Sequence, residues 1–354
     1  MSFVHAPRGR AVPLAALAGI LLVAGCSGSG SSTARSTVDA TSAVASGSAS
    51  AGCTARGQGY PSMALAGAKV GFSQSEPDTA AFRAAETQSI MDEARAQGAT
   101  LEHTNAGAVL AQQVADIRRL LDDGVQLLIV APLDATGLQP AFDAARAKKV
   151  PVVTIDRLVT SKACTDYVTF IGSDFVSQGR RAAQALIAAT GGKGTVAVLL
   201  GSSGNGVTTD RTSGFVAALQ GVPGLTVVTQ LTANFSRDQG RSVMAGMLRA
   251  HPGITAVYAE NDEMGVGAVA AITAAGRRPG TDVKVVSIDG THDAVQLLAS
   301  GRYNGVIESN PRFGPLAFRA LADFEANRPV AAKIVIQDDE YTPANATSML
   351  PNAF

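Results

Sequence analysis

The 354-residue chain is expected to fold as an α/β protein with two doubly wound parallel-sheet lobes. Three observations predict this. Beyond residue 68, short runs rich in β-branched residues alternate with alanine-rich stretches of helical length, the pattern of parallel βαβ units. Eleven such strand segments would make one very large sheet, so two smaller sheets are the better solution. The third is an internal echo. Residues 125–157 run strand, Asp134, alanine-rich helix, then Val152-Val153-Thr154-Ile155-Asp156; residues 254–290 run strand, Asp262, alanine-rich helix, then Val285-Val286-Ser287-Ile288-Asp289.

In chain order the strands are read at 69–73, 100–104, 126–130, 152–155, 169–171, 195–200, 226–231, 256–259, 284–288, 305–307 and 333–336. Helices fill the gaps at 79–97, 110–123, 137–148, 176–189, 209–219, 237–250, 263–275, 293–300 and 311–326. In open α/β sheets ligands sit beyond the carboxyl ends of strands, so two facing lobes would bring Asp156 and Asp289 to opposite walls of one cleft. Asp262 is expected to N-cap the helix that begins at Glu263.

Ahead of the body, residues 1–25 read as an export signal: Arg8 and Arg10, an apolar stretch from Ala11 to Val23, then small residues. That apolar run falls short of the ~20 residues a membrane span needs. Val23-Ala24-Gly25-Cys26 resembles the lipobox of bacterial lipoproteins, which implies lipidation of Cys26 and attachment to the membrane through that lipid. Residues 27–52 hold almost only Ser, Gly, Ala, Thr and Val, too little apolar surface to offset chain entropy. Residues 26–67 are therefore expected to form a flexible tether and N-terminal arm, the tether reaching roughly 30 Å.

Lys+Arg and Asp+Glu are both 29, and removal of the signal leaves 27 basic against 29 acidic residues. A nucleic acid is thereby disfavoured as partner, since phosphate binding needs a basic face. With Cys26 assigned to lipid, Cys53 and Cys164 remain: one possible disulfide in an oxidising compartment, or two separate thiols. The four histidines, His5, His103, His251 and His292, are scattered without partners at ligand spacing, so neither a metal nor any other cofactor is expected.

Several stretches carry a more specific likeness: Val70-Gly71-Phe72-Ser73-Gln74 with Phe82-Arg83-Ala84-Ala85-Glu86; Ile155-Asp156-Arg157; Thr209-Asp210-Arg211 with Gly214-Phe215; Asn261-Asp262-Glu263-Met264; Ser287-Ile288-Asp289-Gly290; and Glu308-Ser309-Asn310-Pro311. In that order they resemble the type I periplasmic sugar-binding proteins of ABC importers, in the ribose- and galactofuranose-binding branch. The resemblance spans nearly all of residues 68–344. It implies three hinge crossings, near 172–174, 307–309 and 336–338, hence a first lobe of residues 68–173 with 308–336 and a second of 174–307 with 337–354, and lobes that close on a sugar. It also implies ligand contacts at Asp156, Arg157, Arg211, Asn261 and Asp289, with Gln74, Arg83 and Glu308 as further contacts. Phe82 matches a position where the galactofuranose branch has Trp, and Phe235 matches an aromatic of the ribose branch. The loop 75–81 departs from the branch pattern, which leaves the role of Glu76 open.

These residue types also suit a sugar on chemical grounds. Each hydroxyl is donor and acceptor at once, and carboxylate, guanidinium and amide groups grip adjacent hydroxyls in pairs. Apolar C–H faces pack on aromatic rings. Enzymatic readings are weaker: the chain lacks G-x-x-x-x-G-K-[ST] and G-x-S-x-G, and the loop Gly201-Ser202-Ser203-Gly204-Asn205-Gly206 lacks dinucleotide spacing. Asp156 and Asp289 could suggest a glycosidase, but neighbouring arginines would keep both ionised and leave no general acid. The expectation is a monomeric, extracytoplasmic, lipid-anchored receptor that delivers a neutral monosaccharide, a furanose by preference, to an ABC permease. A sensor that presents its closed form to a signalling receptor is the alternative.

Overall fold

The computed structural model describes residues 43–46, 52–61 and 63–354. The export signal, Cys26 and most of the tether lie outside the described residues. Within them, all eleven strand segments read from the sequence form.

The first lobe is built from β2 (Lys69–Gln74), α1 (Ala81–Ala96), β3 (Thr100–Asn105), α2 (Leu110–Asp122), β4 (Leu127–Val130), α3 (Gln139–Ala147), β5 (Val152–Ile155) and β6 (Thr169–Ser173). The second contains α4 (Phe175–Thr190), β7 (Gly194–Leu200), α5 (Gly206–Leu219), β8 (Leu225–Thr232), α6 (Arg237–Ala250), β9 (Ala256–Ala259), α7 (Asp262–Ala274), β10 (Lys284–Asp289), α8 (His292–Ala299) and β11 (Gly305–Glu308). The chain then returns to the first lobe for α9 (Gly314–Glu325) and β12 (Lys333–Ile336), and ends in the second with β13 (Glu340–Tyr341) and α10 (Ala346–Met349).

The sheet orders are β1-β12-β6-β5-β4-β2-β3 and β13-β11-β10-β9-β7-β8, where β1 is Ala43–Ser46. The pairings are parallel except at β1–β12 and β11–β13. β2 lies between β3 and β4, and β7 between β8 and β9, so each sheet reverses its winding direction there. The crevice beyond the strand ends at such a point is where a doubly wound sheet binds ligands.

The period of two along each strand sorts its residues between two cores. In the second lobe Val196, Val198, Ala256 and Tyr258 pack beneath α4 and α5, whereas Ala197, Leu199, Val257 and Ala259 pack beneath α6 and α7. In the first lobe Val70, Phe72, Leu127 and Ile129 face α1 and α9, while Leu128 and Val130 face α2 and α3. Helix starts follow their caps. α5 begins at Gly206 because the Asn205 side chain accepts from Val207 N, and α4 begins after Asp174, which accepts from Ser177 N.

Two helix pairs meet at backbone distance. A Cβ on Gly179 would stand 2.0 Å from Arg211 O, and one on Gly214 would stand 2.0 Å from Val176 O, so α4 and α5 cross where neither carries a side chain. Gly240 and Gly267 do the same for α6 and α7, with 2.6 Å to Met264 Cα and 2.2 Å to Arg237 O.

The chain passes between the two sheets three times: from β6 into α4, from β11 towards α9, and from β12 into β13. These are the crossings expected near 172–174, 307–309 and 336–338.

One expectation is corrected. The tether, residues 27–52, was read as disordered, yet within it Ala43–Ser46 pairs antiparallel with Lys333–Ile336 as an edge strand. Small residues place few demands on packing, but their backbone groups can still complete a sheet edge. The arm around residues 52–61 is also fixed. Cys53 is joined to Cys164 by a disulfide with Cα atoms 5.2 Å apart, and its N–H donates to Val330 O at 2.9 Å.

Candidate ligand-binding cleft

Between the carboxyl ends of the two sheets lies a cavity lined by residues of both lobes. The first lobe contributes Glu76 from the loop after β2, Phe82 and Arg83 from the first turn of α1, and Asp156 and Arg157 from the end of β5. The second contributes Val207 and Arg211 from α5, Phe235 from the β8–α6 connection, Asn261 at the start of α7, and Asp289 at the end of β10.

The charged groups are interlocked. Arg83 Nη1 is 2.8 Å from Asp156 Oδ2 and 2.7 Å from Glu86 Oε2, and its Nε donates to Glu76 Oε2 at 2.9 Å. Arg157 Nη2 donates to the same Glu76 oxygen at 2.8 Å. Burial resists ionisation of Glu76, but the two guanidiniums outweigh it and hold the carboxyl at about 2. Burial alone would lower Arg83; the carboxylates of Asp156, Glu86 and Glu76 instead drive its pKa well above the usual arginine value. Glu86, fully buried behind the wall, is pushed up to about 7 by desolvation against the pull of Arg83.

On the opposite wall Arg211 Nη2 lies 3.5 Å from Asp289 Oδ1, and Arg211 Nη1 donates to Glu260 O. Against the expectation that arginine keeps it ionised, burial raises Asp289 well above the carboxylate range; Arg211 offsets only part of this, and Asp262 adds to it. A ligand hydroxyl donated to Asp289 would stabilise its ionised form. Three cavity residues hold positive φ without being glycine: Asp156 at 65°, Phe235 at 56° and Asp289 at 140°. Backbone strain gathered at one site marks positions whose side-chain direction is fixed by their surroundings.

The aromatic residues stand on opposite sides. The Arg83 guanidinium lies 5.0 Å from the Phe82 ring centroid. Phe235 packs against Gly201, where a Cβ would come within 2.0 Å of the ring.

Eight of the sequence-derived residues, Phe82, Arg83, Asp156, Arg157, Arg211, Phe235, Asn261 and Asp289, therefore line one cavity. Two do not. Gln74 is buried behind the wall, where its Nε2 donates to Glu86 Oε2 at 2.8 Å and to Thr87 Oγ1 at 3.2 Å, so it braces the partner of Arg83. Glu308 is held at the second crossing, accepting from Asp339 N at 2.9 Å and from Asn310 Nδ2 at 3.2 Å.

The assignment of Asp262 as a cap is also corrected. Asn261 caps α7 through Met264 N, while Asp262 is buried and accepts from Gly290 N at 2.8 Å, Thr291 N at 2.7 Å, Thr291 Oγ1 at 2.9 Å and Ser287 Oγ. It fastens the turn that follows Asp289. Glu76, left open in the sequence reading, joins the cavity wall. Glu86 stands three residues after Arg83 on α1, and that helical spacing was the available signal for their pairing.

Residues 70–327 match the model of the periplasmic binding protein domain. This chain belongs to that family. Its relatives there are substrate-binding proteins, not enzymes. It is 32% identical over 295 residues to the galactofuranose-binding protein YtfQ of Escherichia coli, covering 82% of this chain and 92% of that one. It is 36% identical over 249 residues to the ribose import binding protein RbsB of Bacillus subtilis, covering 69% and 78%. Among solved structures, the binding protein of the arabinose ABC transporter from Shewanella, bound to α- and β-L-arabinofuranose, superposes with a TM-score of 0.77 at 33% identity, covering 80% of this chain and 94% of that one.

Proposed function

We propose that this protein is the extracytoplasmic receptor of an ABC importer, that it closes its lobes on a neutral monosaccharide, a furanose by preference, and that it hands the sugar to the permease. The observation that carries this reading is the charge balance of the cavity. Arg83, Arg157 and Arg211 are met by Glu76, Asp156 and Asp289, with Asn261 beside them and the Phe82 and Phe235 rings on opposite sides. Such a wall suits hydroxyls that donate and accept in turn. A sugar phosphate would call for arginines without facing carboxylates. The furanose preference is supported by the ligands named for the relatives. Import is favoured over sensing because relatives are named as import binding proteins. The receptor acts as a monomer, tethered to the membrane by lipid on Cys26.

The test is a thermal-shift screen of the full chain against pentoses, hexoses, sugar phosphates and amino acids. A neutral sugar at 100 times its Kd should add ~2.7 kcal/mol to stability. Stabilisation by a phosphorylated sugar or an amino acid, with no response to any neutral sugar, would overturn the reading. The anchor is tested separately: Cys26→Ala should move the protein out of the detergent phase, and its retention there would refute lipidation.

A further inference from the structure

Behind Arg211, away from the cavity, lies the buried side chain of Gln178 on α4. Its amide is used at both ends. Oε1 accepts from Arg211 Nε at 3.0 Å, while Nε2 donates to Asp338 Oδ2 at 2.8 Å and to Glu308 O at 3.2 Å. Asp338 in turn accepts on Oδ1 from Ser173 Oγ at 3.0 Å and from Asn310 N at 3.2 Å. Ser173 belongs to the first crossing, Glu308 and Asn310 to the second, and Asp338 to the third. One amide thus joins a guanidinium of the cavity wall to all three segments that link the lobes.

The position of Gln178 leaves it little freedom. Gly179 and Gly214 bring α4 and α5 to backbone distance, which fixes residue 178 opposite residue 211. Arg181 holds the third crossing in place by donating to Asp338 O at 2.8 Å and Asp339 O at 3.0 Å.

We propose that Gln178 is a positioning residue that couples the Arg211 guanidinium to the hinge and so sets the balance between open and closed lobes. A hinge changes backbone angles at a few residues, and hydrogen bonds held by those residues bias which state is populated. A ligand that fixes Arg211 fixes Gln178, and through it the acceptors at the crossings. The coupling rests on reading the cleft as the ligand site, but its first test needs no ligand.

Gln178→Glu keeps an acceptor for Arg211 Nε and replaces the donor facing Asp338 and Glu308 O by a second acceptor. Asp338→Asn breaks the same contact from the hinge side. The double variant exchanges donor and acceptor across the contact: the new amide nitrogen can donate to the new carboxylate, while its oxygen still accepts from Ser173 and Asn310. Small-angle scattering of the ligand-free full chain should show each single variant displaced from wild type and the double variant returned towards it. Titration with L-arabinose and D-galactose, followed by calorimetry, should show the single variants binding about tenfold more weakly. If the single variants melt at a lower temperature but their ligand-free curves superimpose on wild type, Gln178 is merely structural and the proposal fails. A double variant displaced as far from wild type as Gln178→Glu alone would overturn it as well. Should wild type bind none of the sugars in the wider panel, the sugar reading falls, and the ligand-free curves still decide the role of Gln178.

Discussion

Asp156 and Asp289 occupy the same point of the two sheets: each stands at the end of a buried strand with positive φ, and each faces a buried arginine, Arg83 at 2.8 Å and Arg211 at 3.5 Å. The closer pair belongs to the first lobe, where Glu86 and Glu76 also grip Arg83. The looser pair leaves Asp289 raised well above the carboxylate range by burial, with Arg211 only partly offsetting it.

Removing a charged partner from a buried hydroxyl network should cost ~2 to 4 kcal/mol, or roughly 30- to 1000-fold in affinity. Asp289→Ala and Arg157→Ala should each weaken binding of the stabilising sugar to that degree while the far-ultraviolet circular dichroism stays unchanged. Unaltered affinity in both variants by calorimetry would place the binding site elsewhere.

Asp262 does not itself line the cavity, yet its side chain holds Gly290 N and Thr291 N behind Asp289. Asp262→Ala leaves those donors without their acceptor and should lower stability by about 2 to 4 kcal/mol, measured by urea denaturation. Sugar affinity should fall with it as the turn at Asp289 relaxes; a variant as stable as wild type with intact affinity would deny the bracing role.

Glu260 is buried under the loop at Gly201, where its carboxylate accepts from Gly201 N at 2.8 Å and from Thr212 Oγ1, and burial pushes it up to about 7. A carboxyl raised in the folded state favours folding most below the ordinary value near 4.5. That advantage is lost as pH rises from there to about 7, with a total on the order of 3 kcal/mol. Glu86 and Glu308, also raised to about 7, act in the same direction. Glu76 acts oppositely: its contribution is complete above 4.5 and disappears as pH falls towards 2. Glu260→Gln can keep both contacts if the Thr212 hydroxyl turns to accept, so its melting temperature should change less between pH 5 and pH 7 than that of wild type. An identical pH profile would contradict the assignment.

The disulfide closes a loop with a sequence separation of 111 residues, which in the chain-entropy account gives a stabilisation of about 5 kcal/mol at most. The Cys53→Ala/Cys164→Ala double variant should melt at a lower temperature than wild type, and non-reducing mass spectrometry of the native protein should find the two peptides linked.

The strands were legible because buried parallel strands are short apolar runs with little ambiguity, as in Leu127–Val130 and Ala256–Ala259. The cavity wall was legible wherever a charged residue directly follows such a run, as Asp156 and Arg157 do. β1 was not legible, because a strand of Ala, Val and Ser is recognised by the edge it completes rather than by its own composition. Glu308 misled for a related reason. It follows a strand like the wall residues, but Asn310 Nδ2 and Asp339 N claim its carboxylate, and Asp339 comes from the third crossing, whose approach only the folded chain reveals.

The glycine contacts at Gly179, Gly214, Gly240 and Gly267 clamp the helix pairs on both faces of the second lobe to one another at backbone distance. A lobe braced in this way turns as a stiff block, and its outer surface stays the same whether the cleft is open or shut. A partner that touches the second lobe alone would therefore not sense occupancy. An antibody raised against that lobe should bind empty and loaded protein equally well.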